Sequence, residues 1–201
     1  LLDELKDYHN LVLFIDEIHT LMGTKGEALD FANMFKPGLD RGDIKVIGAT
    51  TTEEYEQYIL RDKAFVRRFE KIEIEEPTQE MCVQILMRTV PKIEVQTGVK
   101  LSYSDFTKEK IMTFIVDMTS EYKRVYEIAS RYPDICLTIV ANAFTFALYD
   151  NRKIVSIIDF YRAIKNSKNI YDDVKVKEIA NFKTTFKDLF EAEGIDINTL
   201  D

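Results

Sequence analysis

Cysteine is scarce in this sequence, with two residues, Cys82 and Cys136, among 201. The two lie far apart in apolar stretches and lack the close spacing of metal-binding cysteines. A separated pair of this kind is more often two buried thiols than a disulfide. We therefore expect free thiols, which fits the reducing cytosol.

Long apolar runs and an excess of positive charge are also missing. No run reaches the roughly 18 residues that a membrane-spanning helix needs, and no charged-then-apolar leader opens the chain. Lys and Arg number 27 against 35 Asp and Glu, a net charge of −8, whereas proteins that neutralise phosphate backbones carry basic surfaces. We expect a cytoplasmic protein without a membrane or nucleic-acid partner.

The first part of the chain shows the pattern of a parallel α/β fold. Residues 11–15 form a continuous apolar run, typical of a strand buried on both faces, and residues 45–49 predict a second strand. Apolar spacing over residues 28–36 predicts a crossover helix between them, which Pro37–Gly38 should end. Alternating residues 71–75 predict a third strand.

After Pro77 the sequence becomes helical in pattern, which predicts one domain over residues 1–76 and another over 77–201. Ser156 and Asp159 have the spacing of a capping box, and an apolar stripe from Phe182 to Phe190 predicts a core or subunit contact. The predicted helices are 79–90, 107–119, 135–149, 157–167 and 176–193.

Two adjacent carboxylates, Asp16 and Glu17, follow the first strand directly. Ligands bind at the carboxyl ends of strands in open α/β sheets. There Asp16 can hold Mg²⁺ through a water, and Glu17 can orient or deprotonate the water that attacks a phosphate. The alternative is two solvated acids before a helix, which the apolar run disfavours. His19 is expected to pack or hydrogen-bond.

Hydroxyls and guanidinium groups follow the later elements. Residues 48–52, GATTT, would place a hydroxyl beside the acids, although Thr52 is also a predicted helix cap. Arg67 and Arg68 precede the third predicted strand. A guanidinium from a neighbouring subunit can neutralise charge on a transferring phosphoryl group, whereas most arginine pairs are solvated.

Taken in this order, residues 11–77 resemble the first ATPase module of Clp-type AAA+ unfoldases, which are ring-shaped protein-remodelling motors. The most Clp-like segments are residues 36–42, KPGLDRG, and residues 48–59, GATTTEEYEQYI. The resemblance implies a partial AAA+ P-loop NTPase core, α/β in class with the first strands of its parallel sheet missing, followed by an all-helical AAA+ lid and a C-terminal extension.

The same resemblance implies roles for five residues. Asp16 and Glu17 correspond to the Walker B pair, Thr51 to the sensor-1 residue that also contacts nucleotide, and Arg67 and Arg68 to arginine fingers. The implied cofactors are ATP and Mg²⁺. The implied partners are further copies in a hexameric ring, polypeptide substrates and, as an open question, a Clp-type peptidase.

The chain departs from the family pattern in two places. No phosphate loop with GK[ST] occurs in it, so we expect this piece neither to hydrolyse ATP alone nor to bind it tightly, and we expect the third strand or a neighbouring chain to close the gap in the sheet. Ile135 and Cys136 replace the usual lysine and acids of the lid helix. This change motivates the alternative function, a non-hydrolysing AAA+-like scaffold or regulatory binding module.

Overall fold

The computed structural model describes residues 11–22, 37–42, 44–125 and 131–200. The chain forms two units, Leu1–Ile74 and Glu75–Asp201. The predicted crossover helix over residues 28–36 lies outside the described residues. Assigning residues 1–76 to a nucleotide-binding part and 77–201 to a lid stays a prediction.

The first unit contains a two-stranded parallel sheet. Strand β1, Val12–Ile15, pairs with strand β2, Lys45–Gly48, in parallel register, which confirms the two predicted strands. The prediction that β1 is buried on both faces is wrong, because Val12 and Phe14 are 52% and 62% exposed. No described element covers that face of the sheet.

The third predicted strand, residues 71–75, does not form among the described residues. Ile72 and Ile74 are 81% and 90% exposed. An alternating pattern makes a strand only when a neighbouring strand supplies hydrogen bonds and a buried face takes the side chains, and the described residues provide neither for this segment. The expected shift of this segment into the sheet is therefore wrong, and pairing with a neighbouring chain stays a prediction.

The first unit also contains short helical segments. Residues 37–41 are helical, which the φ angle fixed by proline allows at the first position of a helix; whether Pro37 and Gly38 end a helix over residues 28–36 stays a prediction, because those residues lie outside the described ranges. The left-handed Gly42, at φ 73°, ends this segment. The other segments are a 3₁₀ helix at Ile18–Met22, an α-helix at Thr52–Glu54 that continues as a π-helix at Tyr55–Ile59, and an α-helix at Lys63–Val66.

The second unit is a helical bundle with six described helices. They are α1 at Gln79–Thr97, α2 at Asp105–Met118, α3 at Asp134–Tyr149, α4 at Ile157–Lys165, α5 at Asp172–Thr185 and α6 at Lys187–Ala192. No helix among the described residues is long and apolar enough to span a bilayer.

Two of the predicted helices in this unit have wrong boundaries. Helix α1 continues through Pro91 to a left-handed cap at Gly98, because Val90 and Ile93 on either side of the proline are buried and offset its missing hydrogen bond. The predicted helix 176–193 is two helices that meet at Phe186, whose φ of −111° leaves the helical range.

The apolar stripe near the carboxyl end is core, which confirms one of its two predicted roles. Phe182, Phe186 and Phe190 are each at most 1% exposed. The rings of Phe182 and Phe186 lie 4.7 Å apart, and Phe114 from α2 packs edge-on against Phe182 at 5.2 Å. Helices α5 and α6 are therefore integral to the bundle.

The predicted capping box at the start of α4 is confirmed. The backbone N–H of Ser156 donates to Asp159 Oδ2 at 2.9 Å. Asp159 is fully buried and also accepts from Arg152, with Nη1 to Oδ2 at 2.8 Å and Nη2 to Oδ1 at 2.5 Å. The second carboxylate beside this arginine, Asp150, is partly exposed and lies 3.0 Å from Nη2.

A further carboxylate, Glu193, joins the end of the bundle to two earlier segments. The Ser156 hydroxyl donates to Glu193 Oε2 at 2.6 Å, and the Ile157 backbone N–H donates to the same oxygen at 3.2 Å. The Tyr103 hydroxyl donates to Oε1. Burial, and then this contact, raise the pKa of the Tyr103 hydroxyl, so it remains a donor.

Candidate functional site

The acid pair lies in the turn that leaves β1, where the sequence predicted it. Asp16 and Glu17 are both exposed, and the backbone N–H of Glu17 donates to Asp16 Oδ1 at 3.0 Å. Glu17 has a φ of 52°, which is uncommon for a residue other than glycine. The backbone N–H of Thr20 donates to the Glu17 carbonyl at 2.9 Å and holds this turn.

The end of β2 lies against the same turn. The Ala49 N–H donates to the Ile15 carbonyl and the Ile18 N–H donates to the Ala49 carbonyl, both at 2.9 Å. Gly48 allows the end of β2 to pack closely against Ile18, since a Cβ at position 48 would overlap the buried Ile18 side chain. The threonines after β2 are thereby brought beside the acids, as predicted.

Thr51 is the cap of the following helix, so the predicted cap at Thr52 is wrong by one residue. The Thr51 hydroxyl donates to Glu54 Oε2 at 2.8 Å and accepts from the Glu54 backbone N–H at 3.2 Å. The Thr51 N–H donates to the same carboxylate at 3.2 Å. These bonds hold the pKa of Glu54 below its usual value. The residue proposed as a nucleotide sensor is thus already bonded within its own helix turn.

The His19 side chain lies close to Glu17, Glu54 and Thr50. Its Nδ1 lies 3.0 Å from Thr50 Oγ1, 3.3 Å from Glu54 Oε2 and 3.4 Å from Glu17 Oε2. Its ring stacks on Tyr58 at 5.6 Å between centroids. The expectation that His19 packs and hydrogen-bonds is confirmed, and Thr50 is the hydroxyl closest to it.

The two arginines differ in how they are held. Arg68 forms a two-point ion pair with Asp40, with Nε to Oδ1 at 2.6 Å and Nη2 to Oδ2 at 2.5 Å, and Nη1 donates to the Ala64 carbonyl. The hydrogen bond to Asp40 raises the pKa of Arg68 and lowers that of Asp40. Arg67 is exposed, and its side chain makes no hydrogen bond or ion pair with any described residue.

Three residues of this site were not singled out from the sequence. Glu54 follows Thr51 at the spacing of a capping box, so the contact between these two residues could have been predicted from the sequence. Thr50 was included only as part of the GATTT segment. Asp40 lies 28 residues before Arg68, and no local pattern links the two.

The donor set suits Mg²⁺ better than it suits a whole nucleotide. Asp16 and Glu17 offer exposed carboxylate oxygens, which are the ligands that Mg²⁺ prefers. A triphosphate also needs backbone N–H groups and a lysine from a phosphate loop, and the sequence carries no GK[ST] motif. The residues present would hold the metal through Asp16, whereas the phosphates must be bound by groups outside this set.

Comparisons with known proteins give partial-length relatives. No protein-family model matches the chain. The chaperone protein ClpB of Aquifex aeolicus is 41% identical over 136 residues, which cover 67% of this chain and 12% of that protein. The ClpC/MecB protein of Bacillus subtilis, a negative regulator of genetic competence, is 41% identical over 103 residues, covering 50% of this chain and 13% of that protein. The chain thus spans about an eighth of each relative's length.

Solved structures show the same likeness. The Saccharomyces cerevisiae Hsp104–ADP complex matches with a TM-score of 0.65 and 32% identity, over 94% of this chain and 31% of that one. A closed state of Hsp104 with ATPγS and FITC-casein matches with a TM-score of 0.60 and 34% identity, over 80% of this chain and 27% of that one. The small parallel sheet and the helices that follow it match part of Hsp104.

Proposed function

Because the chain belongs to the Clp/Hsp100 family of AAA+ chaperones, we propose that it is part of a cytoplasmic ATP-driven motor that unfolds or remodels proteins. Its residues would supply the catalytic half of a nucleotide site, and the phosphate cradle would come from sequence outside this chain. The observation that carries the proposal is the acid pair at the carboxyl end of β1, beside the polar end of β2.

Asp16 and Glu17 divide the chemistry between them. Asp16 would hold Mg²⁺, and the ion would supply positive charge to offset that of the phosphates. Glu17 takes a proton from the attacking water, or orients it, because its carboxylate is exposed and extends from a turn fixed by Thr20. The left-handed backbone at Glu17 supports this role, since such conformations cluster at functional sites.

Thr51 and Thr50 form the sensing side of the proposed site. The Thr51 hydroxyl is bonded to Glu54, so contact with a terminal phosphate would require that bond to open or to be shared. Thr50 and His19 connect the same carboxylate to Glu17. A change at the phosphate would thereby reach the water-activating group through these polar contacts.

Arg67 and Arg68 have different roles in the proposed ring. Arg67 is exposed and free to reach the nucleotide of the next subunit, where a guanidinium offsets the charge of the transferring phosphoryl group. Arg68 holds the segment in place through Asp40. The proposed assembly is a hexamer acting on polypeptides, as casein in the Hsp104 complex suggests.

The decisive experiment replaces Glu17 in a full-length protein that carries this segment. Glu17→Gln removes a general base, which contributes about 10²- to 10⁴-fold to a rate, so we expect ATP hydrolysis to fall at least about 100-fold while ATP binding persists. The matched control is Glu56→Gln, a neighbouring exposed acid, which should leave the rate unchanged. Hydrolysis that survives Glu17→Gln would contradict the role proposed for Glu17, whereas a wild-type protein that hydrolyses no ATP would favour the non-hydrolysing scaffold.

A further inference from the structure

Glu17, His19 and Glu54 form a cluster distinct from the Mg²⁺ position proposed at Asp16. One atom from each, Glu17 Oε2, His19 Nδ1 and Glu54 Oε2, lies within 4.8 Å of the other two. We propose that these three side chains bind a divalent transition-metal ion of the Zn²⁺ type.

Two of the three distances between these ligand atoms are those of zinc ligands. Zn²⁺ lies about 2.0–2.2 Å from imidazole nitrogen and carboxylate oxygen, so ligand atoms at neighbouring corners of a tetrahedron are roughly 3.3–3.5 Å apart. His19 Nδ1 lies 3.4 Å from Glu17 Oε2 and 3.3 Å from Glu54 Oε2. An ion therefore needs only small side-chain adjustments to sit between them.

His19 Nδ1 cannot hydrogen-bond to all of the oxygens around it. Oxygens of Thr50, Glu54 and Glu17 all face His19 Nδ1, which carries at most one hydrogen. At least one carboxylate is thus left facing the nitrogen without a proton between them. A divalent cation would contact both carboxylates and the nitrogen lone pair at once.

The ligands are held in place by groups behind them, which lowers the ordering cost of binding an ion. The His19 side chain is 15% exposed and stacks on Tyr58. Glu54 is fixed by the backbone N–H and hydroxyl of Thr51. Glu17 is 57% exposed, so an ion can enter from solvent and keep a water as its fourth ligand.

The mixed ligand set separates this site from a magnesium site. Imidazole with two carboxylates suits Zn²⁺, Co²⁺ or Ni²⁺, whereas Mg²⁺ prefers oxygen ligands in an octahedron. A bound ion would occupy the carboxylate of Glu17 and prevent it from activating water. This inhibitory consequence rests on the proposed function, whereas ion binding itself does not.

Calorimetric titration of the 201-residue chain with Zn²⁺ tests the site. We expect one ion per chain, with affinity at least about tenfold weaker in His19→Ala and in Glu17→Gln because each loses one of three ligands. His9→Ala is the matched control, since His9 is the only other histidine in the sequence. Far-UV circular dichroism verifies that each variant is folded.

Co²⁺ as a probe identifies the ligand atoms. The bound ion should show d–d absorption without a thiolate charge-transfer band, because Cys82 and Cys136 are buried, and excess Mg²⁺ should not displace it. The proposal is overturned by absent Zn²⁺ binding, by binding that both ligand variants retain, by an equal loss in His9→Ala, or by a thiolate band. None of these outcomes bears on Glu17→Gln hydrolysis, which is measured without Zn²⁺.

Discussion

The buried carboxylate of Asp159 gives a sharp test of what holds the helical unit together. Asp159 is fully buried and accepts two hydrogen bonds from Arg152 and one from the Ser156 N–H. In Asp159→Asn, the new amide N–H₂ would face the guanidinium donors of Arg152 or the N–H of Ser156. Breaking a buried ion pair from one side costs about 3–5 kcal/mol.

We expect the cost of Asp159→Asn to lie at the lower end of that range. The Arg152 side chain is 34% exposed and keeps its second partner, Asp150, so its charge stays partly solvated after the change. We therefore expect Asp159→Asn to lower the free energy of unfolding by about 3 kcal/mol. The matched change Asp150→Asn alters a carboxylate on the same arginine that is itself 34% exposed, and surface pairs contribute only about 0.2–1 kcal/mol.

Urea unfolding followed by far-UV circular dichroism measures both variants. With a slope of about 2 kcal/mol per molar urea, the midpoint should fall by roughly 1.5 M for Asp159→Asn and by less than about 0.5 M for Asp150→Asn. Equal shifts in the two variants would refute the reasoning, because burial is the property in which the two carboxylates differ.

Two further predictions concern packing in the first unit and the loss of folding stability at low pH. Gly48→Ala should lower the free energy of unfolding of the sheet by about 1–3 kcal/mol through overlap with Ile18; Ile18→Val in the same chain should recover part of this loss, and no recovery would contradict the cause. Hydrogen bonds from Arg152 and Arg162 hold the pKa of Asp150 below 3.8, so its contribution to the free energy of unfolding is present above that pH and lost as pH falls through the lowered pKa. The difference in stability between the wild type and Asp150→Asn should therefore shrink below pH 3.8, and a difference that grows there would contradict this sign.

Local patterns were enough to predict the elements whose partners lie within the chain. Strands β1 and β2 were predicted because each is an apolar run and the two pair with each other. Residues 71–75 carried an equally regular pattern but have no described strand beside them. Pairing is a property of two segments in space, and one segment's sequence does not contain it.

Helix existence was predicted better than helix ends. The 3.6-residue periodicity of the second unit located its main helices, and Ser156 with Asp159 fixed the start of α4. The predicted helix 79–90 stops before Pro91, but burial on both sides of this proline outweighs one lost hydrogen bond and the helix continues. The break at Phe186 has no glycine or proline to mark it in the sequence. It lies where the rings of Phe182, Phe186 and Phe190 pack together.

The acids of the candidate site were predictable, but their surroundings were not. Asp16 and Glu17 follow an apolar strand, which is a pattern visible along the chain. Glu54 approaches His19 across 35 positions, and Asp40 approaches Arg68 across 28. Only the fold brings these pairs together, and they determine which threonine and which arginine remain available to a ligand.

Glu193 also limits how far this polypeptide can be shortened from its carboxyl-terminal end. Its single carboxylate accepts from Tyr103, Ser156 and Ile157, which belong to segments far apart along the chain. A protein cut just before it would keep every helix from α1 to α6 yet lose the acceptor that ties these segments to the carboxyl-terminal end. Protease trimming or engineered boundaries in this region should therefore be set beyond residue 193.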